Sequence, residues 1–154
     1  PYLKIFLISF VWSALTILLP VIHSENRIDD WRIVTMIIER FLFVLAITIP
    51  FDIRDMEDDL LTNLKTIPLK IGIANSSKLS IVLITLFLIV TIVHYTFTSQ
   101  SFLIIAYLIS FLTTLYFLSS KKIKNSRFYY YGILDGTMLL QGILVILFYL
   151  IYKN

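Results

Sequence analysis

Cysteine is absent from this sequence of 154 residues, and charged residues, glycine and proline are scarce. Without a thiol there is no disulfide, no thiolate nucleophile and no cysteine-ligated metal. Only 15% of the residues are charged, and glycine and proline contribute four residues each. This composition does not suit a water-soluble domain.

The residues that are present are mostly hydrophobic, at 58% of the chain, compared with roughly 45–50% in soluble domains. A membrane-spanning helix needs about 20 apolar residues. Five stretches approach that length, and they cover residues 2–22, 33–51, 79–95, 102–118 and 129–152. The third and fourth are a little short, but barrel strands would be about half as long. We therefore predict an all-α integral membrane bundle with five transmembrane helices.

The basic residues divide unevenly between the two sides of such a bundle. With a cytoplasmic N-terminus, nine of them lie inside, namely Lys4, Arg54, Lys65, Lys70, Lys78, Lys121, Lys122, Lys124 and Arg127. Three lie outside, namely Arg27, Arg32 and Lys153. Cytoplasmic loops carry an excess of positive charge. We therefore expect the connections from Asp52 to Lys78 and from Lys121 to Arg127 to face the cytoplasm.

The first of these connections, the longest and most polar in the chain, begins with a dense acidic cluster. Five of the nine residues from Phe51 to Asp59 are acidic. On a helix, Asp52 and Asp59 lie about 60° and 40° from Asp55, whereas Glu57 points to the opposite side. Carboxylates at this spacing repel one another, and Mg²⁺ relieves the repulsion by binding carboxylate and phosphate oxygens. The alternative interpretation is a solvated acidic helix end that nearby basic residues balance.

The residues after the cluster extend it into a longer pattern. Asp55 and Asp59 are followed by Asn63, by the run Lys65-Thr66-Ile67-Pro68 and by Gly72. This arrangement resembles the second aspartate-rich motif of the UbiA superfamily of intramembrane prenyltransferases. That motif reads D-x-x-x-D, a glycine four residues on, K-T-[ILV]-P and a closing glycine. Asn63 replaces the first glycine, and asparagine tolerates the left-handed backbone conformation that glycine supplies, so the departure is conservative.

The resemblance implies a fold. Members of the superfamily have nine transmembrane helices and a cytoplasmic N-terminus, and their second motif follows the sixth helix. Here the motif follows the second apolar stretch, so residues 1–154 would be the C-terminal part of one such domain, with helices five to nine. Nothing in the sequence matches the first motif, N-D-x-x-D-x-x-x-D, and we expect the chain to be inactive alone. The expected location is a bacterial inner (plasma) membrane.

The resemblance also implies an activity, which is Mg²⁺-dependent transfer of an isoprenyl group from a prenyl diphosphate to a hydrophobic or aromatic acceptor, such as a quinone precursor. It assigns catalysis to Asp55 and Asp59, and Mg²⁺ to these two together with Asp52. Lys65, Arg54 and Asp135 are candidates for contact with the diphosphate. Each has an alternative: the two cations are also suited to topology signals or lipid headgroups, and Asp135 to hydration at a helix end or pairing with a basic loop residue. The lipid bilayer is an expected partner, and nucleic acid is not.

Two other classes of membrane protein account for part of the pattern. CDP-alcohol phosphotransferases also carry spaced acids on membrane helices, but they need D-G-x-x-A-R before D-x-x-x-D, and the segment before Asp55 lacks it. A non-catalytic scaffold or transporter subunit would make the cluster a simple acidic cytoplasmic patch. That hypothesis leaves Lys65-Thr66-Ile67-Pro68 and Gly72 unexplained.

Overall fold

The computed structural model describes residues 3–23, 30–98, 100–120, 123 and 128–153, and every regular element within them is helical. This confirms the predicted all-α class for the described part of the chain. Several residues used in the sequence predictions lie outside it. They are Tyr2, Arg27 and, apart from Ile123, the basic run from Lys121 to Arg127.

Within the described ranges, four helices are long and apolar enough to cross a membrane, as expected of an integral membrane protein. Three of them are α1 (Leu3–His23), α2 (Trp31–Arg54) and α4 (Ile67–Phe97). The fourth apolar segment, Gly132–Tyr152, lies in a π-helix (Tyr129–Leu134) and the helix that continues it, α6 (Asp135–Lys153). A fifth apolar helix, α5 (Leu103–Ser119), has 17 residues, and the short helix α3 (Met56–Leu61) lies between α2 and α4.

Helix α4 begins earlier than the predicted apolar stretch. The sequence prediction placed a connection up to Lys78, whereas the structure is helical from Ile67 onward. Pro68 lies in the first turn, where a missing N–H costs nothing. The helix is kinked at Gly72, and the side chains of Asn75 and Ser76 donate hydrogen bonds of 2.9 Å to carbonyl oxygens at the kink. The second half of the expected connection is therefore helical.

The chain divides into two compact units, of which the first runs from Pro1 to Leu83. Its core is formed by Ile5, Leu45 and Ile49, against which apolar residues of α2 and α4 pack. Helix α1 packs on α2, and the rings of Phe6 and Phe41 stack with their centroids 6.5 Å apart. This unit contains the whole acidic motif.

The second unit, Ile84 to Asn154, contains the rest of α4, α5, the π-helix and α6. Tyr95 on α4 and Tyr107 on α5 share a hydrogen bond of 3.0 Å between their hydroxyl groups, and their rings stack at 5.1 Å. Phe87 packs edge-on against Tyr107 at 6.0 Å. Helix α5 also packs against α6. Aromatic contacts therefore join α4 to α5 within this unit.

Candidate functional site

The candidate site is built around the junction of α2 and α3, which share a single residue, Asp55. Its backbone, with φ −86° and ψ 5°, ends α2 and begins α3. Its N–H donates to the carbonyl oxygen of Phe51 over 3.0 Å, and its own carbonyl accepts from the N–H of Asp59 over 2.9 Å. Because the hydrogen bonds continue across the junction, residues 52 to 59 nearly keep the periodicity of one helix.

The acidic side chains of the cluster separate into a buried and an exposed set. Asp52 and Asp59 are each only 4% exposed, and Asp55 is half-buried. Glu57 and Asp58 are exposed. The exposure of Glu57 contrasts with the burial of Asp52 and Asp59, and its orientation away from the three spaced aspartates stays a prediction. Burying a carboxylate is costly unless it is paired or hydrogen-bonded, so the partners of the buried set matter.

Two of the three aspartates have cationic partners. The guanidinium of Arg54 binds Asp55 with two hydrogen bonds, 2.6 Å from Nε to Oδ1 and 3.1 Å from Nη2 to Oδ2. This hydrogen bonding holds the pKa of the Asp55 carboxyl below its ordinary value, and the charges of Arg54 and Lys4 add to the effect while partial burial opposes it. Asp52 is paired with Lys4 of α1 over a longer distance, 3.9 Å from Nζ to Oδ1.

Asp59 differs from the other two, because its Oδ2 atom is buried and has no hydrogen-bond partner. Buried polar atoms in folded proteins nearly always have one. A carboxylate oxygen in this condition suits a divalent cation, and oxygen donors are the ligands that Mg²⁺ prefers. The residues present therefore fit a magnesium ion.

The three aspartates do not by themselves form a closed metal cage. Within the described ranges, no group of three or more acidic or histidine side chains is arranged to hold a metal ion. The charges of Asp55 and Asp59 are nonetheless near enough to act on the Asp52 carboxylate. Mg²⁺ usually binds to one or two carboxylates and completes its shell with water and substrate phosphates. The magnesium site therefore stays a prediction. The arrangement of the three aspartates is compatible with it.

The backbone after α3 has a left-handed conformation at the residue that stands at the first glycine position of the pattern described above. Asn63 has φ 51°, in the left-handed region. Its N–H donates to the carbonyl of Leu60 over 3.2 Å, and the N–H of Leu64 donates to the carbonyl of Asp59 over 2.9 Å. This pair of hydrogen bonds is the Schellman motif, which ends a helix with one left-handed residue. The predicted tolerance of asparagine for this conformation is confirmed.

The closing glycine of the motif also has a backbone that other residues rarely adopt. Gly72 has φ 81° and ψ 162°, a region occupied almost solely by glycine. A Cβ atom built there would meet nothing within 4 Å, so backbone conformation rather than space explains the glycine. Both positions at which the superfamily motif has glycine therefore have positive φ.

Lys65 lies in the segment between α3 and α4. It is exposed and lines a cavity of about 340 Å³ whose walls are Leu60, Asn63, Leu64, Lys65, Thr66, Leu69 and Lys70. No aspartate belongs to that lining. Thr66 was not singled out from the sequence, although its hydroxyl oxygen is buried without a hydrogen-bond partner. No sequence signal distinguishes such a threonine from a solvated one.

The remaining predicted site residue, Asp135, lies in the second unit as the first residue of α6, and it is exposed. It directly follows the π-helix, which the sequence analysis did not predict. Tyr129, at the start of the π-helix, is 1% exposed, and its hydroxyl oxygen has no hydrogen-bond partner. Contact of Asp135 with a diphosphate stays a prediction.

No family model, curated protein or solved structure matches the chain. Its function is therefore inferred from its own residues. The acidic set on α2 and α3 and the two positive-φ positions that follow it are the features that bear on that inference.

Proposed function

We propose that the chain is the C-terminal part of an integral membrane prenyltransferase of the UbiA type. In this proposal α1, α2, α4, α5 and the helix ending at Lys153 are five transmembrane helices that correspond to helices five to nine of the superfamily. The reaction transfers an isoprenyl group from a prenyl diphosphate to a hydrophobic or aromatic acceptor. The acidic motif faces the cytoplasm.

One observation carries the proposal: the backbone has positive φ at Asn63 and at Gly72. These are the two positions at which the superfamily motif has glycine. Positive φ is uncommon in residues other than glycine, so Asn63 is unusual, and a solvated acidic helix end requires positive φ at neither of the two positions. The buried set formed by Asp52 and Asp59 adds support, because the same side of the helix carries the spaced acids of the motif.

In the proposed mechanism, Asp52, Asp55 and Asp59 are the residues that would hold Mg²⁺ for the diphosphate. When bound, Mg²⁺ neutralises the negative charge that develops on the departing diphosphate. Asp59 offers a carboxylate oxygen that has no other partner, and the hydrogen bonds from Arg54 keep Asp55 ionised and therefore able to bind a cation. These groups position the leaving group before any bond breaks.

The covalent step is a substitution at the allylic carbon of the prenyl group. The bond from this carbon to the diphosphate oxygen breaks, and diphosphate leaves with the electron pair. A nucleophilic atom of the acceptor forms the new bond to carbon and then loses a proton. The hydrocarbon tail favours the bilayer by about 0.8 kcal/mol for each buried CH₂, which explains why such a reaction is carried out by apolar helices.

The alternative function is a non-catalytic scaffold or transporter subunit. The bidentate pairing of Asp55 with Arg54 favours it, since a paired carboxylate does not need a metal ion. This alternative does not account for the buried, unpartnered oxygen of Asp59. It also gives no reason for the backbone conformation of Gly72.

The proposal is tested by an assay of prenyl transfer in lipid nanodiscs. A protein that contains these residues together with the first motif should release diphosphate from geranylgeranyl diphosphate in the presence of Mg²⁺ and a panel of aromatic acceptors. Removal of Mg²⁺ with EDTA should stop the release, and the 154 residues alone should show none. Diphosphate release by the 154 residues alone, or none by the longer protein with any prenyl chain length, would refute the assignment.

A further inference from the structure

The cavity between α3 and the start of α4 has a cationic lining. Lys65 and Lys70 both line it, together with Asn63 and Thr66. Among the residues that the structure describes, none of its walls is acidic, although five acidic residues lie within the nine positions from Phe51 to Asp59. The cavity therefore has the charge required to attract an anion.

Thr66 provides an independent indication of a ligand. This residue is 3% exposed, and its hydroxyl oxygen is buried without a hydrogen-bond partner. A buried hydroxyl is costly when unpaired, and it can donate a hydrogen bond to a phosphate oxygen. Because Thr66 lies between Lys65 and Lys70 in the same lining, the three side chains together supply two positive charges and one hydroxyl donor.

The rest of the lining points to an anion that is attached to a hydrocarbon chain. Leu60, Leu64 and Leu69 complete the walls, and Leu60 is 61% exposed. Leu61, the last residue of α3, is 84% exposed. Exposed leucines next to lysines at the end of apolar helices match the boundary between acyl chains and headgroups. A soluble anion would have no use for these leucines.

We propose that this cavity binds the phosphate group of an anionic membrane lipid, with the leucines against the first part of the acyl chains. Lys65, Thr66 and Lys70 contact the phosphate, and the lipid fixes the segment between α3 and α4 to the membrane surface. In this assignment Lys65 binds a lipid phosphate and not the prenyl diphosphate. The inference goes beyond the proposed prenyl transfer and does not depend on it.

The test is lipid binding measured by native mass spectrometry on the whole chain in detergent micelles. The protein is titrated with dioleoylphosphatidylglycerol, with zwitterionic dioleoylphosphatidylcholine as comparator and inorganic phosphate as competitor. We expect preferential binding of phosphatidylglycerol, with a loss of about fivefold in affinity for each of Lys65→Gln and Lys70→Gln. Thr66→Val should lose a similar factor without lowering the thermal unfolding midpoint, because the hydroxyl it removes has no partner in the protein.

Lys78→Gln is the matched control, because Lys78 is an exposed lysine of α4 outside the cavity. At about 0.15 M salt, where the screening length is about 8 Å, it should change the affinity by less than about twofold. An equal loss in Lys78→Gln would show general charge attraction and overturn the proposal. Displacement of the lipid by millimolar inorganic phosphate, without a preference for phosphatidylglycerol, would overturn it in favour of a soluble anion.

Asp59→Asn separates this inference from the proposed function. The variant should abolish prenyl transfer in the longer protein while leaving phosphatidylglycerol binding unchanged, because Asp59 does not line the cavity. Loss of lipid binding in Asp59→Asn would contradict the separation of the two sites. If the unaltered longer protein bound the lipid but showed no prenyl transfer, the proposed function would be refuted and the lipid site would stand.

Discussion

Arg54 and Asp55, neighbours in the chain, form a bidentate hydrogen-bonded pair at the junction of α2 and α3. The pair holds the first of the two spaced aspartates ionised, whereas the second, Asp59, has a buried oxygen without any partner. The two acids of one motif therefore have different surroundings.

Replacing Arg54 should change the titration of Asp55. In Arg54→Gln the hydrogen bonds and the positive charge are lost, so the pKa of Asp55 should rise toward its ordinary value. A carboxyl with a depressed pKa stabilises the fold above its ordinary pKa, and this contribution is lost as the pH falls through the folded-state pKa. Arg54→Gln should therefore weaken the acid dependence of stability. The pH dependence of the Asp55 carboxyl-carbon NMR shift measures the change.

Lys65→Gln is the control for that titration. It also removes one positive charge from the motif, but Arg54 and Lys4 are the cations that act on the Asp55 carboxyl. The pKa of Asp55 should therefore be unchanged in Lys65→Gln. Identical titrations in the Arg54 and Lys65 variants would contradict the role given to the bidentate pair.

Asn63 should be replaceable by glycine but not by alanine. Its φ of 51° is left-handed, which costs an ordinary L-residue about 1–2 kcal/mol. Asn63→Ala should therefore lower the unfolding free energy by about 1 kcal/mol, and Asn63→Gly should leave it nearly unchanged. Thermal unfolding in a fixed detergent compares the two variants. Equal stability of both would mean that the Schellman ending of α3 contributes nothing.

Gly72 provides a second backbone test, with Gly142 in α6 as its control. A Cβ atom would meet nothing within 4 Å at either position, so steric crowding is matched. Gly72→Ala should cost about 1–3 kcal/mol, because alanine rarely adopts φ 81° with ψ 162°. Gly142→Ala, within a helix, should be neutral or stabilise by up to about 1 kcal/mol. In thermal unfolding, Gly72→Ala should lower the midpoint, whereas Gly142→Ala should leave it unchanged or raise it. An unchanged midpoint in Gly72→Ala would argue against the kink.

Several features of the structure could be predicted from the sequence. Hydropathy found the apolar helices because a bilayer needs long apolar segments. The left-handed backbone of Asn63 followed from its place in the motif. In each case a local rule was sufficient.

Other features depend on contacts that local rules do not contain. The hydropathy signal starts near Leu79, so it missed the helical residues from Ile67, which form around a kink at Gly72. The π-helix from Tyr129 has no hydropathy signature of its own. Whether an oxygen of Asp59 or Thr66 finds a donor depends on packing between segments, and no residue pattern records it.

The absence of native cysteine makes the predicted orientation easy to test, because single cysteines can be introduced without a background. Leu61→Cys, at a residue that is 84% exposed, should react with a membrane-impermeant maleimide only from the cytoplasmic side. Gln100→Cys, exposed between α4 and α5, should react only from the opposite side. Labelling of both positions from the same side would show that α4 does not cross the membrane. Labelling of each position only from the side opposite to the expected one would show that the predicted topology is inverted.

The central claim is that Asp55 and Asp59 bind the magnesium ion that acts on the diphosphate. Its most direct measurement is Mg²⁺-dependent prenyl transfer by the protein containing both motifs, compared among four variants. Asp55→Asn and Asp59→Asn each remove an anionic oxygen with little change of volume, and each should lower turnover by about 100-fold or more, whichever acceptor is used. Glu57→Gln and Asp58→Asn remove exposed carboxylates from the same short helix and should stay within about twofold of the unaltered protein, since exposed charges are largely screened by water and salt. Similar turnover in all four variants would contradict the metal site and leave the cluster a solvated helix end.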